Sequence, residues 1–161
     1  MPFRWIYPDI GKDIPIAKAL GRELPISYKE SVEIAKIIKG MRLKDAIELL
    51  NKVVRKETPI PFTRFNGGVG HRKSLSTIYR KWKVQSGRYP VKAAKYILKV
   101  LRNAENNAEQ KGLDPENLVI LHIAAHRGRY IKRYMPRAFG RATPKFRTTT
   151  HIEVIVGEKS V

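Results

Sequence analysis

Three histidines and one glycine-rich stretch are the residues of this chain whose types and spacing could support chemistry. His122 and His126 stand four positions apart, the spacing at which two imidazoles on one helix face can share a zinc ion. The residues around them argue for a strand instead, because Val119, Leu121, Ile123 and Ala125 alternate with Ile120, His122, Ala124 and His126. Four residues of strand separate the two positions by ~13 Å, too far for one metal. A histidine pair completed by His151 from across a hairpin would find no Asp, Glu or Cys within the run to finish a site. Gly67-Gly68-Val69-Gly70-His71-Arg72-Lys73-Ser74 has the outline of a phosphate-binding loop, but Arg72 occupies the place of the glycine that must precede the lysine. Pro59 and Pro61 also stand where a buried strand belongs. A glycine-rich turn whose backbone and cations meet nucleic-acid phosphate is the simpler reading. Nothing resembles a nucleophile with its base and orienting group, and no metal or cofactor is expected.

The cations form the clearer pattern. From Leu118 to Ile152 the chain carries Arg127, Arg129, Lys132, Arg133, Arg137, Arg141, Lys145 and Arg147 without one Asp or Glu. Tyr130, Tyr134, Phe139 and Phe146 are interleaved with them. That mixture combines phosphate neutralisation with planar groups that stack on unpaired bases of a folded RNA, although the same rings could pack across a ribbon. A second basic surface, Arg64, Arg72, Lys73, Arg80, Lys81, Lys83, Arg88, Lys92 and Lys95, points to the same partner.

Strands and helices that would position these groups are legible around them. Ile152, Val154 and Val156 alternate with His151 and Glu153, so the basic run lies between two strand-like ends. Gly128, Pro136, Gly140 and Pro144 exclude a helix between those ends. The expectation is a hairpin over 127–150, its turn near Met135 to Arg141, projecting roughly 30 Å beyond a compact body. An isolated two-stranded ribbon is marginal in water, so an anionic partner would define its shape. Upstream, Ile16 to Ile26 has strand character, and Ser27 with Glu30 suggests a capping box opening a helix that Gly40 closes. Leu43, Ala46, Ile47, Leu50, Val53 and Val54 mark a second helix. Periodicity then stops over 55–89, a basic insertion whose single acid is Glu57. Pro90 is suited to the first position of a third helix, whose stripe is Ala94, Ile97, Leu98, Leu101, Ala104 and Ala108, ending before Gly112. The expected fold is α+β: a small three-stranded antiparallel sheet, three helices on one face, and a long projecting basic hairpin, all in one domain over 1–161.

Composition narrows the function classes. A formal net charge of +19 exceeds what solubility requires and favours an anionic partner. No apolar run approaches the length of a membrane span. The start MPFRWIYPDIGKDI lacks a signal-peptide pattern and the chain has no cysteine, so a cytoplasmic location is expected.

Taken together, IIKGMRLKDAIELL, KYILKVLRNAENNAEQKGLD and, above all, KRYMPRAFGRATPKFRTTTHIEV resemble the archaeal form of a universal large-subunit ribosomal protein family, numbered twenty-two in bacteria and archaea and seventeen in eukaryotes. PFTRFNGGVGHR and SGRYP resemble the archaeal and eukaryotic versions, with 55–89 an insertion relative to bacterial members. This resemblance implies binding to large-subunit (23S) ribosomal RNA, contact with neighbouring ribosomal proteins and a role in early subunit assembly. It also implies a hairpin lining the nascent-peptide exit tunnel, with Met135, Pro136, Arg137, Ala138, Gly140 and Arg141 at a tip exposed to the nascent chain. His151, close behind the tip motif, joins the expected RNA-binding set. The alternative is a free-standing RNA-processing enzyme, which would need His122, His126 and His151 to be catalytic and lacks the carboxylates to support them.

Overall fold

A computed structural model describes residues 15–73 and 75–158. The opening segment MPFRWIYPDIGKDI and Ser74 of the glycine-rich stretch lie outside the described residues. Strand β1 (Ile16–Leu24) is followed by helices α1 (Tyr28–Ile38) and α2 (Leu43–Val54). The insertion contributes β2 (Ile60–Pro61), the short helix α3 (Leu75–Ile78) and β3 (Gly87–Arg88). Helix α4 (Val91–Glu109) leads into β4 (Leu118–Ile131), β5 (Tyr134–Pro136), a helical turn at Ala138–Gly140, β6 (Ala142–Pro144) and β7 (Arg147–Glu158).

The main sheet is antiparallel in the order β1-β7-β4, with the C-terminal strand in the centre. Its alternation puts Ile152, Val154 and Val156 of β7 on the same face as Ala17, Ala19, Ile120 and Ile123. Against that face pack Ile34 and Ile38 of α1, Leu43, Ala46, Leu50 and Val53 of α2, and the full expected stripe of α4. Each large aliphatic chain sealed there contributes roughly 1.5–3 kcal/mol relative to exposure, so the helices are held by the sheet more than by their own propensity. Gly40 ends α1 in the left-handed region (φ 81°), where other residues are strained, and its N–H donates to Ile120 O at 2.9 Å.

Both outer strands are protected over the body. Ile120 N–H donates to Met41 O at 3.0 Å, so the α1–α2 connection covers the free side of β4. On β1, Asn107 Nδ2 and Lys111 Nζ donate to the carbonyls of Lys18 and Ile16 at 2.9 and 2.8 Å. Open edges would otherwise invite pairing with other chains.

Several local expectations are corrected. Ser27 occupies the N-cap position of α1 but makes no side-chain capping bond. Ser31 Oγ instead donates to Ser27 O at 2.8 Å, a contact within the first turn that replaces the capping box with Glu30. Pro90 lies one residue outside α4, as its N-cap. Nor is the hairpin one uninterrupted ladder. Beyond Ile131↔Arg147 the main pairing stops, and Tyr134↔Pro144 to Pro136↔Ala142 form a separate small pair. Prolines at 136 and 144 have no N–H to donate, which removes ladder bonds where they sit.

Candidate nucleic-acid interface

The hairpin leaves the body at a bulge. Arg127 pairs with Thr150 and Tyr130 with Thr148, so β4 carries one residue more than β7 across this step. Gly128 sits inside it, where an added Cβ would stand 2.3 Å from Thr149 Oγ1. That hydroxyl is committed, donating to Arg129 O at 2.9 Å. Bulges of this kind bend a strand and increase its twist, so a glycine-dependent kink aims everything distal to it.

At the kink and past it, Arg127, Arg129, Lys132, Arg133, Arg137, Arg141, Lys145 and Arg147 are all exposed. Among the described residues, Arg129 is the one candidate Lys or Arg in an ion pair, with its Nη2 atom 2.8 Å from Glu23 Oε2. His151 is half-buried and its Nδ1 accepts the backbone N–H of Glu23 at 3.0 Å, so it also braces β1 against the hairpin root. Tyr134 and Phe146 meet edge to face at 5.8 Å across the ribbon, yet both stay exposed, at 63% and 46%. Tyr130 and Phe139 remain exposed, Phe139 to 94%.

The tip is a defined turn. Arg137 N–H donates to Arg141 O at 2.7 Å, and Arg137 Nε donates to Thr143 Oγ1 at 3.2 Å. Phe139 (φ 58°) and Gly140 (φ 70°) occupy the left-handed region in succession. Such a conformation costs a residue with a side chain about 1–2 kcal/mol. Pro136, Ala138 and Gly140 are exposed and Met135 is half-buried. Phe139, absent from the expected tip set, projects farthest into solvent by fractional exposure. Its signal was a lone aromatic between Ala138 and Gly140 inside a basic turn.

The insertion is more ordered than its lack of periodicity suggests. Ile60 and Pro61 pair with Arg88 and Gly87, Phe62 N–H donates to Ser86 O at 2.9 Å, and Ser86 Oγ returns a bond to Phe62 O at 3.1 Å. Ile60, Phe62 and Leu75 are buried beneath. The Tyr79 hydroxyl is buried without a hydrogen-bond partner among the described residues, and desolvation pushes its pKa up to about 12. Above this small core, Arg64, Arg72, Lys73, Arg80, Lys81, Lys83 and Arg88 are exposed, as are Lys92 and Lys95 on α4.

A buried carboxylate, Glu33 of α1, fastens the insertion to the body. It is 1% exposed. Its Oε1 accepts the backbone N–H groups of Arg64 and Phe65, both at 2.8 Å, while Oε2 accepts the N–H and Oγ1 of Thr63 at 3.1 and 3.2 Å. Four donors around one anion satisfy its desolvated charge and fix where Arg64 points. On a helix, a lone glutamate reads as solvated, and its backbone partners leave no mark in the sequence.

The histidines are arranged differently from expectation. Glu153 of β7 lies opposite Ala124, so its side chain rises between His122 and His126 on the sheet face away from the helices. Its Oε1 is 3.0 Å from His122 Nε2 and 3.1 Å from His126 Nε2. The two imidazoles thus converge on one carboxylate oxygen although they stand four strand residues apart, because diagonal cross-strand neighbours are within reach of long side chains, and the acid missing from the basic run stands one residue beyond it. Glu153 is fully buried and His122 nearly so. No group of three or more His, Cys, Asp or Glu side chains among the described residues is arranged to hold a metal ion. The cluster ties β4 to β7 at the hairpin root. No helix among the described residues is long and apolar enough to cross a membrane.

The described residues form an α+β body with a kinked basic hairpin and two cation-bearing surfaces. Residues 19–157 match the family described as ribosomal protein L22p/L17e. The chain is 53% identical over 155 residues to the large ribosomal subunit protein uL22 of Sulfurisphaera tokodaii, covering 96% of this chain and 97% of that one. It is 55% identical over 139 residues to the uL22 of Archaeoglobus fulgidus, covering 86% of each, and 54% identical over 142 residues to that of Methanocaldococcus jannaschii, covering 88% and 87%. The chain belongs to the ribosomal protein L22p/L17e family. Its role is that of a structural ribosomal protein, and it is not an enzyme.

Proposed function

We propose that this protein is a structural constituent of the large subunit of the cytoplasmic ribosome, binding its 23S RNA through two surfaces and supporting subunit assembly. The observation that carries the reading is the hairpin, with eight exposed cations and no acidic residue of its own from Leu118 to Ile152. Phosphate neutralisation by Lys and Arg supplies essentially all of non-specific nucleic-acid binding and a large share of specific binding. Arg64, Arg72, Lys73, Arg80, Lys81, Lys83, Arg88 and Lys92 form the body surface, and the hairpin cations with His151 the second. Neighbouring ribosomal proteins are further partners. By family resemblance the hairpin lines the nascent-peptide exit tunnel, with Met135, Pro136, Arg137, Ala138, Gly140 and Arg141 facing the emerging chain.

The test is Arg137→Glu in reconstituted ribosomes. The reversal places a carboxylate among phosphates, where like charges repel, yet touches no core residue. Peptide crosslinking at the tip and sensitivity to tunnel-binding antibiotics should change while the melting temperature of the free protein does not. Unchanged crosslinking and antibiotic response at full occupancy would overturn the tunnel placement.

A further inference from the structure

Between the insertion and the first turn of α1 lies a pocket. Its volume is about 400 Å³, and Lys29, Arg64, Phe65, Gly67 and Arg88 line it, with Glu30 the one acid among its lining residues. Phe65 forms one wall. Lys29 Nζ and the Arg64 guanidinium carbon are 5.7 and 5.4 Å from the centroid of its ring. Tyr28 meets Phe65 edge to face at 6.3 Å, and Arg127 of the hairpin root lies 5.1 Å from the Tyr28 centroid. Cation, ring, ring and cation therefore run continuously from the insertion to the hairpin. The wall is rigidly built, since the Phe65 N–H is one of the donors held by buried Glu33, and Arg88 Nη2 donates to Gly68 O at 3.2 Å across the loop.

We infer that this pocket receives an unpaired nucleotide of the RNA, its phosphate among Lys29, Arg64 and Arg88 and its base against Phe65. The volume falls within the ~300–1,000 Å³ of small-ligand sites. A duplex cannot present a base to such a concavity, because its bases are stacked inside the helix, whereas loops and bulges can splay one out. Glu30, the acid of the lining, is suited to accept a base amino group, which favours a nucleotide over a bare anion. This inference rests on the RNA-binding reading above and adds what kind of RNA feature the body selects.

The experiment uses the full chain and two probes of equal length, a single-stranded oligonucleotide containing 4-thiouridine and a fully paired RNA duplex. Ultraviolet irradiation should join the single strand to the peptide bearing Phe65. Phe65→Ala should lower single-strand affinity by roughly fivefold to 150-fold, the span of one base–aromatic stack. Duplex affinity and the salt dependence of both probes should stay the same, because no charge is altered. Phe65→Tyr should restore binding. Equal loss on both probes, or no loss, together with no crosslink at 62–69, would overturn the inference. Should Phe65→Ala disturb folding, the wild-type crosslink alone decides. Failure of the wild-type chain to bind either probe would instead strike at the RNA-binding reading itself.

Discussion

Glu33→Ala is the substitution whose consequence the structure specifies most closely. Removing the carboxylate strands the N–H groups of Thr63, Arg64 and Phe65 and the Thr63 hydroxyl. Hydrogen bonds to a charged group contribute about 1.5–3 kcal/mol each, so four would nominally sum to on the order of 6–12 kcal/mol. That sum cannot be realised, because it rivals the whole stability of a small domain, about 5–15 kcal/mol. Arg64 is exposed, so the loop can lift and give its N–H groups to water. The loss is then limited to the free energy that holds the loop down, on the order of 2–4 kcal/mol. Glu33→Gln should cost about half as much, since its carboxamide oxygen still serves two donors while its NH₂ opposes the Thr63 N–H. Denaturant unfolding gives the total, and native-state hydrogen exchange gives its location. Amides of Thr63, Arg64 and Phe65 should exchange far faster in the variant, while core amides such as Val154 slow or quicken only with global stability. A loss below about 0.5 kcal/mol with those three amides still protected would show that Glu33 does not hold the insertion.

Three further outcomes are expected. With Arg129 retained by Glu23, seven hairpin cations are available, so removing the hairpin should flatten the log-log salt dependence of ribosomal RNA binding by about 5–6; a change below about 2 would show that its charges are idle. Gly128→Val should destabilise the hairpin root against Thr149 while leaving the helical core intact, seen as exchange or cleavage confined to 127–150; wild-type protection there would refute the close-approach argument. Tyr79→Phe should leave the neutral-pH stability equal or higher by about 1 kcal/mol, because the hydroxyl it deletes is buried without a partner. In the wild type the folded Tyr79 pKa, about 12, exceeds the ordinary value of 10.0, so stability is indifferent to this group's ionisation below pH 10 and falls as pH rises toward 12. Ultraviolet titration should lose its latest tyrosine step in the variant, and a step that persists would place the perturbed group elsewhere.

Helix stripes and the alternating ends of the hairpin were legible because burial imposes a period on side chains. Leu43, Leu50, Ile97 and Leu101 announce their faces without any knowledge of neighbours. The insertion hides its order for the opposite reason, since β2 and β3 are two residues each, one of them Pro61, too short to show a period, and much of what joins them is backbone bonding. Glu33 was illegible on the same ground. The histidine pair shows a different limit: reasoning along one strand kept the two imidazoles apart, but Glu153 enters from the neighbouring strand and draws both to one oxygen, and register is a property of two segments. Candidate cations could be named from composition and run length, while their roles could not. Only the folded structure distinguishes Arg129, paired with Glu23, from Lys132, or Tyr134, which meets Phe146 across the ribbon, from Phe139, which has no ring partner among the described residues.

The bulge at Gly128 makes the hairpin a lever arm. With roughly 30 Å of ribbon beyond it, a rotation of ~10° at the root sweeps the tip through ~5 Å, more than the spacing of adjacent strands. Angular error is thus amplified where clearance would be tightest. Glu153 between two imidazoles, His151 on the Glu23 amide, and the Thr149 hydroxyl on Arg129 all brace the pivot within a few residues of one another. Mutations that loosen this small region should therefore degrade tip placement as surely as mutations at the tip.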